Sequence, residues 1–240
     1  MRHNIPIHSD SSWRGTSDCL SCGMREMVLF SDLTPQDFEY IHAPIDDLEF
    51  AAGDTLQRVG DVANSIMTLR AGTVKLVRGT ADGRQRIVRV LRSGDVIGPE
   101  ALVGGRYEND AVALSNAKVC RIPVKVIQNL TASTPRLHQR LLEKWHRSLK
   151  DADDWLAELN FGTARQRVAG LVRKMRANGD ASVVTLFSRE DMGAMLDLKL
   201  ETVSRTLNAL VREGMLEPLD KVGRVYRILD LAALTDPDAE

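Results

Sequence analysis

The feature that most constrains the fold of this chain is a change in the period of its apolar residues near Pro123. Over residues 48–123, short β-branched runs are separated by turn-forming Gly and Asp residues about every ten positions, the pattern of an antiparallel sandwich or barrel. Residues 72–77 and 86–91 flank a turn pair at 82–83, which is a hairpin signature. Beyond Pro123 the apolar residues recur with the helical period. The sequence therefore predicts an α+β chain in which a β-rich domain precedes the helices.

Composition bounds the class of protein without identifying a partner. The chain has 240 residues, of which 43% are hydrophobic and 27% are charged, and its formal net charge is -1. These values are typical of a soluble globular protein, and they provide no overall attraction to nucleic acid. No apolar run reaches the roughly eighteen residues of a membrane span, and the N-terminal residues lack the apolar stretch of a signal peptide. We therefore expect a cytoplasmic protein with no membrane partner.

A single long helix is predicted over residues 135–160, and its apolar side chains form a narrow stripe. These side chains occupy the a and d positions of successive heptads, the spacing of a seam along which a helix packs on a partner. The pattern predicts a homodimer. The predicted interface residues are Leu142, Trp145, Leu149, Ala152, Leu156 and Leu159. Trp155 widens the stripe, which leaves open the alternative that the helix packs on the core of its own domain.

Residues 188–213 have the spacing of a helix-turn-helix. An amphipathic helix over 189–196 is followed by a break at 197–199 and by a second helix over 200–213. Apolar residues of both helices can form one small core, while polar side chains remain on the first turns of the second helix. A locally basic segment over 214–228 then has the character of a β-hairpin wing. The predicted DNA-contacting residues are Glu201, Thr202, Ser204, Arg205 and Asn208 on the helix, with Lys221 and Arg224 on the wing.

The side chains on the second helix match base edges in the major groove. Arg205 can donate to O6 and N7 of guanine, Glu201 can accept from N4 of cytosine, and Ser204 can bond a base or a phosphate. Lys221 and Arg224 carry the positive charge that phosphates require. This combination predicts a sequence-specific DNA-binding transcription regulator.

The run Leu200-Glu201-Thr202-Val203-Ser204-Arg205, preceded by a helix and followed by a wing, resembles the recognition helix of the Crp/Fnr family of bacterial transcription regulators, in its Fnr-like branch. The resemblance covers nearly the whole chain after residue 18. It implies base contacts by Glu201, Ser204 and Arg205 on a TTGAT-like half-site, and an inverted-repeat operator read by a dimer. The family commonly has glycine where this chain has Asp197, a residue type that tolerates the left-handed conformation.

The same resemblance implies the domain organisation and the partners. The predicted parts are a flexible N-terminal arm over 1–18, a β-roll sensor of cyclic-nucleotide-binding type over 19–134, a dimerisation helix over 135–160 and a winged helix-turn-helix over 161–240. As partners we expect double-stranded DNA, a second copy of the chain and RNA polymerase.

The effector of the β-roll is not identified by its residues. Gly98 and Glu100 resemble the Gly-Glu pair with which cyclic-nucleotide binders of the family hold the ribose. Position 110, where those proteins have an arginine against the cyclic phosphate, is Asp110, and a carboxylate repels an anion. We therefore predict that no cyclic nucleotide binds, and that Gly98 and Glu100 are an effector pocket only if another small molecule is sensed.

Three cysteines suggest a metal or redox site. Cys19, Cys22 and Cys120 occupy places that resemble three ligands of the oxygen-sensing iron-sulfur cluster of the Fnr branch, but the fourth ligand position is Val28. A cluster usually requires four thiolates. Several interpretations stay open: a cluster with one non-cysteine ligand, a zinc or thiol-redox site on Cys19 and Cys22, a haem or nitric oxide sensor, or no site. A redox, oxygen or nitric oxide signal is the leading hypothesis.

Other function classes find less support in the sequence. It contains no Ser/His/Asp set, phosphate-binding loop, zinc-protease motif or pair of carboxylates at informative spacing, and its five histidines are scattered. We therefore predict that the protein is not an enzyme. Two alternatives remain: a regulator with a small-molecule effector in the β-roll and no metal, and a ligand-binding module that does not bind DNA.

Overall fold

A computed structural model describes residues 45–80, 83–133, 135–176 and 182–234. The chain divides into two compact units, residues 1–81 with 88–150 and residues 82–87 with 151–240. The predicted N-terminal arm over 1–18 lies outside the described residues, as do Cys19 and Cys22.

Among the residues described between 45 and 123 there are eight short strands: β1 Asp46–Phe50, β2 Thr55–Gln57, β3 Ser65–Ala71, β4 Val74–Gly79, β5 Gln85–Leu91, β6 Val96–Ile97, β7 Asp110–Ala113 and β8 Ala117–Pro123. They form two four-stranded sheets with the orders β1-β8-β3-β6 and β2-β7-β4-β5. The pairs β3–β8 and β4–β7 are antiparallel. A 3-10 helix, Pro99–Val103, lies between β6 and β7. The predicted β-roll is confirmed.

Two apolar clusters cover the opposite faces of β3 and β8, because successive side chains of a strand point to opposite sides. Met67 and Leu69 belong to the cluster shared by the two sheets. Ile66 and Ile122 belong to the second cluster, which also includes apolar residues of helices α1, Val124–Ser133, and α2, Pro135–Leu159. Helix α2 lies where the sequence predicts one long helix.

The edge strand β1 pairs with β8, and charged side chains accompany this pairing. Three ion pairs anchor acids of β1: Asp46–Arg121 at 2.6 Å, Asp47–Arg70 at 2.7 Å and Glu49–Lys118 at 2.7 Å. Exposed pairs of this kind contribute little to stability, but charges on an edge strand discourage pairing with another chain.

Within the described residues, the C-terminal unit contains the end of α2, three further helices and a small sheet. Their bounds are α3 Ala164–Lys174, β9 Val183–Thr185, α4 Arg189–Leu196, α5 Leu200–Arg212, β10 Leu216–Pro218 and β11 Val225–Ile228. The strands pair in the antiparallel order β10-β11-β9. Thr163 begins α3 with a capping box, in which its hydroxyl accepts from the Gln166 amide and the Gln166 side chain accepts from the Thr163 amide. The predicted winged helix-turn-helix is confirmed.

Within the described residues, no helix is both long enough and apolar enough to cross a bilayer.

Candidate nucleic-acid interface

Helix α5 has two faces with different chemistry. Val203, Leu207 and Leu210 are buried on one side, which anchors the helix in the C-terminal unit. On the other side Glu201, Arg205 and Asn208 are exposed, while Thr202 and Ser204 are half-buried. Lys199 precedes the helix and makes no side-chain cap, so the positive end of the helix dipole is not covered by a capping oxygen. The structure thus places four of the five predicted reading residues on the first two turns of one helix, and Asn208 on the third turn.

The turn before α5 is shaped by a close approach of two backbone segments. Asp197 adopts the left-handed conformation, with φ 55° and ψ 48°, and it is the one non-glycine residue with positive φ among the described residues. The Leu198 amide donates to the Gly193 carbonyl at 3.1 Å. A Cβ atom on Gly193 would lie 2.6 Å from the Leu198 carbonyl oxygen, so only glycine permits this approach. The conformation expected of Asp197 from its residue type is observed.

Arginines of α3 hold the ends of the two helices that follow. Arg167 donates to the Leu196 carbonyl at 2.7 Å, at the C-terminal end of α4. Arg165 donates to the Glu213 carboxylate at the C-terminal end of α5, and this hydrogen bond lowers the pKa of Glu213. The sequence analysis assigned no role to Arg165 or Arg167. In the structure Arg165 and Arg167 bind acceptors of the protein and position the helix-turn-helix.

The wing presents the two predicted cations to solvent. Lys221 and Arg224 are exposed in the loop between β10 and β11. Arg227, on the neighbouring strand, donates instead to Glu217 at 2.6 Å. Asp220 accepts hydrogen bonds from backbone amides of this loop, a role that the sequence analysis missed. An Asp three positions before a glycine is the only local signal for it, and that signal is weak.

The predicted dimer seam is exposed over most of its length. Leu142, Trp145, Leu149 and Leu156 are exposed large apolar side chains, Leu149 at 62%, and Ala152 is half-buried. Leu159 differs from the prediction, because its side chain is 1% exposed within the single chain. Its Cδ2 atom lies 3.3 Å from the place that a Cβ on Gly170 would occupy. Leu159 therefore packs against α3 in the C-terminal unit. A heptad position alone does not show whether a side chain stays exposed to a partner or is buried within its own domain.

Acceptor atoms surround the Gly98 and Glu100 pair in the roll. Gly98 has φ 73°, and a Cβ there would lie 2.7 Å from the Tyr107 ring and 2.8 Å from Gln57 Oε1. Gln57 Oε1 and Glu100 Oε2 are buried and find no hydrogen-bond partner among the described residues. The Asp110 carboxylate accepts from the Val59 amide at 2.8 Å. Position 110 therefore supplies a carboxylate in place of the arginine that would bind a cyclic phosphate, so these residues do not fit a cyclic nucleotide.

Cys120 is the one predicted metal ligand that the structure describes. Its side chain is 8% exposed, and its thiol donates to Asp47 Oδ1 at 3.2 Å. Among the described residues no group of three or more His, Cys, Asp or Glu side chains is arranged to hold a metal ion. Any site that includes Cys120 therefore requires ligands from outside the described ranges.

Two family models match the chain in succession. The cyclic nucleotide-binding domain matches residues 47–134, and the Crp-like helix-turn-helix domain matches residues 166–236. Among curated proteins, the fumarate and nitrate reduction regulatory protein of Salmonella typhi is 26% identical over 223 residues, which covers 90% of this chain and 89% of that protein. The anaerobic regulatory protein of Pasteurella multocida (strain Pm70) is 25% identical over 225 residues, with coverage of 91% and 81%.

Solved structures agree with these matches. FixK2 from Bradyrhizobium japonicum superposes with a TM-score of 0.72 at 25% identity, covering 82% of this chain and 98% of that one. A transcriptional regulator of the CRP family from Thermus thermophilus gives a TM-score of 0.68 at 26% identity, with coverage of 80% and 100%. With a β-roll, a long helix and a helix-turn-helix in this order, the chain belongs to the Crp/Fnr family of DNA-binding bacterial transcription regulators.

Proposed function

We propose that the chain is a cytoplasmic homodimer that reads an inverted-repeat operator with TTGAT-like half-sites. The observation that carries the proposal is the outward face of α5, on which Glu201 and Arg205 are exposed while the opposite face of the helix is buried. A helix held in this way can enter the major groove with its N-terminal turns leading. In this proposal Arg205 bonds guanine, Glu201 accepts from cytosine, and Ser204 bonds a base or a phosphate.

The remaining polar residues position the helix on the duplex. Thr202 and Asn208 flank the reading positions and supply contacts to the sugar-phosphate backbone or to neighbouring bases. Lys221 and Arg224 bind phosphates from the wing, independently of sequence. The exposed seam residues of α2 support the dimer. A twofold dimer places its recognition helices about 34 Å apart, one turn of DNA, and its twofold symmetry requires an inverted repeat.

We further propose that a redox, oxygen or nitric oxide signal controls the regulator and that RNA polymerase is its partner on the promoter. The names of the two relatives described above, which refer to anaerobic regulation and to fumarate and nitrate reduction, support a signal of this kind. Cys19, Cys22 and Cys120 would hold an iron-sulfur cluster together with one non-cysteine ligand. Iron, sulfide and zinc analysis after purification without oxygen tests this assignment, and a metal-free protein that binds its operator normally would overturn it.

The DNA-reading assignment is tested by Arg205→Ala. Loss of a bidentate contact to guanine costs about 1–3 kcal/mol of discrimination at that base pair. We expect the variant to lose its preference for an intact half-site over one with that base pair exchanged, while its dimer remains folded. Fluorescence anisotropy with both duplexes measures the ratio of the two dissociation constants.

Arg212→Ala is the matched control for this experiment. Arg212 is exposed at the C-terminal end of the same helix, two turns beyond Arg205 and away from the leading end. The control should keep the wild-type ratio of dissociation constants. An unchanged ratio for Arg205→Ala would show that α5 does not read the base sequence through this arginine.

A further inference from the structure

The wing loop, residues 219–224, is closed by hydrogen bonds at its base. Oδ1 of Asp220 accepts from the backbone amide of Arg224 at 2.8 Å and from that of Val225 at 2.9 Å. The Leu219 amide donates to the Val225 carbonyl at 2.8 Å. One side-chain oxygen and one backbone bond therefore tie the two ends of the loop together. The apex that carries Lys221 is held between them.

A second contact holds the loop against the first helix of the helix-turn-helix. Arg189, the first residue of α4, donates to the Tyr226 hydroxyl at 2.6 Å, and its guanidinium lies 5.9 Å from the centre of that ring. Gly223 is in the left-handed region, with φ 70°. A Cβ on Gly223 would lie 3.2 Å from Arg189 Nη2 and 3.3 Å from the Tyr226 hydroxyl. The loop is thus packed against a fixed part of the helix-turn-helix.

The charge of Asp220 opposes the function proposed for its neighbours. Lys221 and Arg224 would bind phosphates, whereas a carboxylate beside them repels phosphates. The hydrogen bond from the Val225 amide, followed by those from Arg224 and Gly223, lowers the pKa of Asp220 despite the opposing effect of desolvation. The group is therefore ionised at neutral pH and acts as an acceptor for the loop. The hydrogen bonds that Asp220 accepts from the loop therefore offset the repulsion between its carboxylate and the phosphates.

We propose that Asp220 is a positioning residue for DNA binding, because it orders the wing loop before Lys221 and Arg224 meet the phosphates. This inference rests on the proposed function. A loop that becomes ordered only on binding weakens affinity by roughly tenfold for each backbone residue that is fixed at that moment. A loop that is already ordered avoids this loss.

The test compares Asp220→Ala and Asp220→Asn in the full chain. Each protein is titrated into an operator duplex and a scrambled duplex of equal length at several salt concentrations. We expect Asp220→Ala to bind both duplexes roughly tenfold more weakly, with an unchanged slope of log K against log salt, because the same phosphates are contacted in the complex. Its preference for the operator should be unchanged. Asp220→Asn should bind at least as tightly as the wild type, because its amide oxygen can accept the same two backbone amides and the repelling charge is removed.

Charge alone predicts the opposite result, and this difference makes the experiment decisive. Removing an acid close to DNA strengthens binding if the acid has no positioning role. Glu217→Ala is the matched control, since Glu217 is an exposed acid of the same hairpin and pairs with Arg227 rather than with the loop. It should bind both duplexes at least as tightly as the wild type.

Stoichiometric titration at high concentration gives the active fraction of each protein and separates misfolding from a change in affinity. Wild-type affinity or tighter binding in Asp220→Ala would overturn the proposal, and so would equal weakening in Asp220→Asn. A failure of the proposed function has a different signature, because the wild type would then show no preference for the operator over the scrambled duplex.

Discussion

Gly193 and Asp197 shape the turn that precedes α5, each for a different reason. Gly193 has no Cβ, and this absence allows the Leu198 carbonyl to approach its backbone. Asp197 has a side chain yet adopts the left-handed conformation, which Asp tolerates better than most residues. The family commonly has glycine at the latter position. The direction of α5 therefore depends more strictly on the close approach at Gly193 than on backbone freedom at Asp197.

Gly193→Ala is expected to destabilise the C-terminal unit by about 1–3 kcal/mol, because the added methyl carbon must displace the Leu198 carbonyl or the helix. Urea unfolding followed by circular dichroism measures the change. Gly79→Ala is the control, since a Cβ on Gly79 meets no atom within 4 Å and its φ is not positive. Equal stability of the two variants would mean that the turn does not require this approach.

In helix α2, side chains at heptad positions differ in their exposure to solvent. Leu149 is 62% exposed and is available to a second copy of the chain, whereas Leu159 is 1% exposed and belongs to the core of the C-terminal unit. Trp155 and Glu158 also contact α3 within that unit, through Lys174. The proposed dimer seam therefore ends at Leu156, and at Leu159 the helix is part of its own domain.

We expect Leu149→Glu and Leu159→Ala to affect different equilibria. The first would bury a carboxylate in the seam of each subunit and weaken the dimer by about 2–4 kcal/mol, with little change in monomer stability. The second would leave a cavity and lower the free energy of unfolding by about 2–5 kcal/mol, with the dimer interface intact. Sedimentation equilibrium and urea unfolding measure the two quantities. Loss of the dimer in Leu159→Ala without a loss of stability would contradict this division.

Across the protein as a whole, acids in both units bind protons more weakly than in the unfolded chain. The hydrogen bond from Lys118 lowers the pKa of Glu49, that from Arg165 lowers the pKa of Glu213, and the Val225 amide lowers the pKa of Asp220. A group with a lowered pKa stabilises the fold fully above its ordinary pKa. That stabilisation is lost as the pH falls through the lowered value.

The free energy of unfolding should therefore fall as the pH decreases below 4.5, the ordinary pKa of the two glutamates. Denaturant titrations between neutral pH and pH values of about 3 measure this dependence. Arg165→Gln removes the donor that lowers the pKa of Glu213, so its free energy of unfolding should change less steeply over the same interval. An identical slope in the variant and the wild type would show that this pair does not contribute to acid sensitivity.

Local patterns in the sequence were sufficient for the features that depend on neighbouring residues. Turn residues at regular spacing predicted an antiparallel sandwich or barrel, which the family resemblance narrowed to a β-roll, and the apolar period predicted α2. The bounds expected for the first helix of the helix-turn-helix, 189–196, coincide with α4. These features depend on backbone preferences and on side-chain period, which act within one or two turns of the chain. The outward polar residues of α5 followed from the same local pattern.

Long-range packing, by contrast, settles which side chains of a given type meet solvent and which meet the protein. Arg205 and Arg165 are both arginines on helices, but the second reaches Glu213, which is 48 positions away in the sequence. Leu149 and Leu159 both occupy heptad positions of the apolar stripe, but only Leu159 is covered by α3. Burial and hydrogen bonding depend on which distant elements pack together, and no local pattern carries that information.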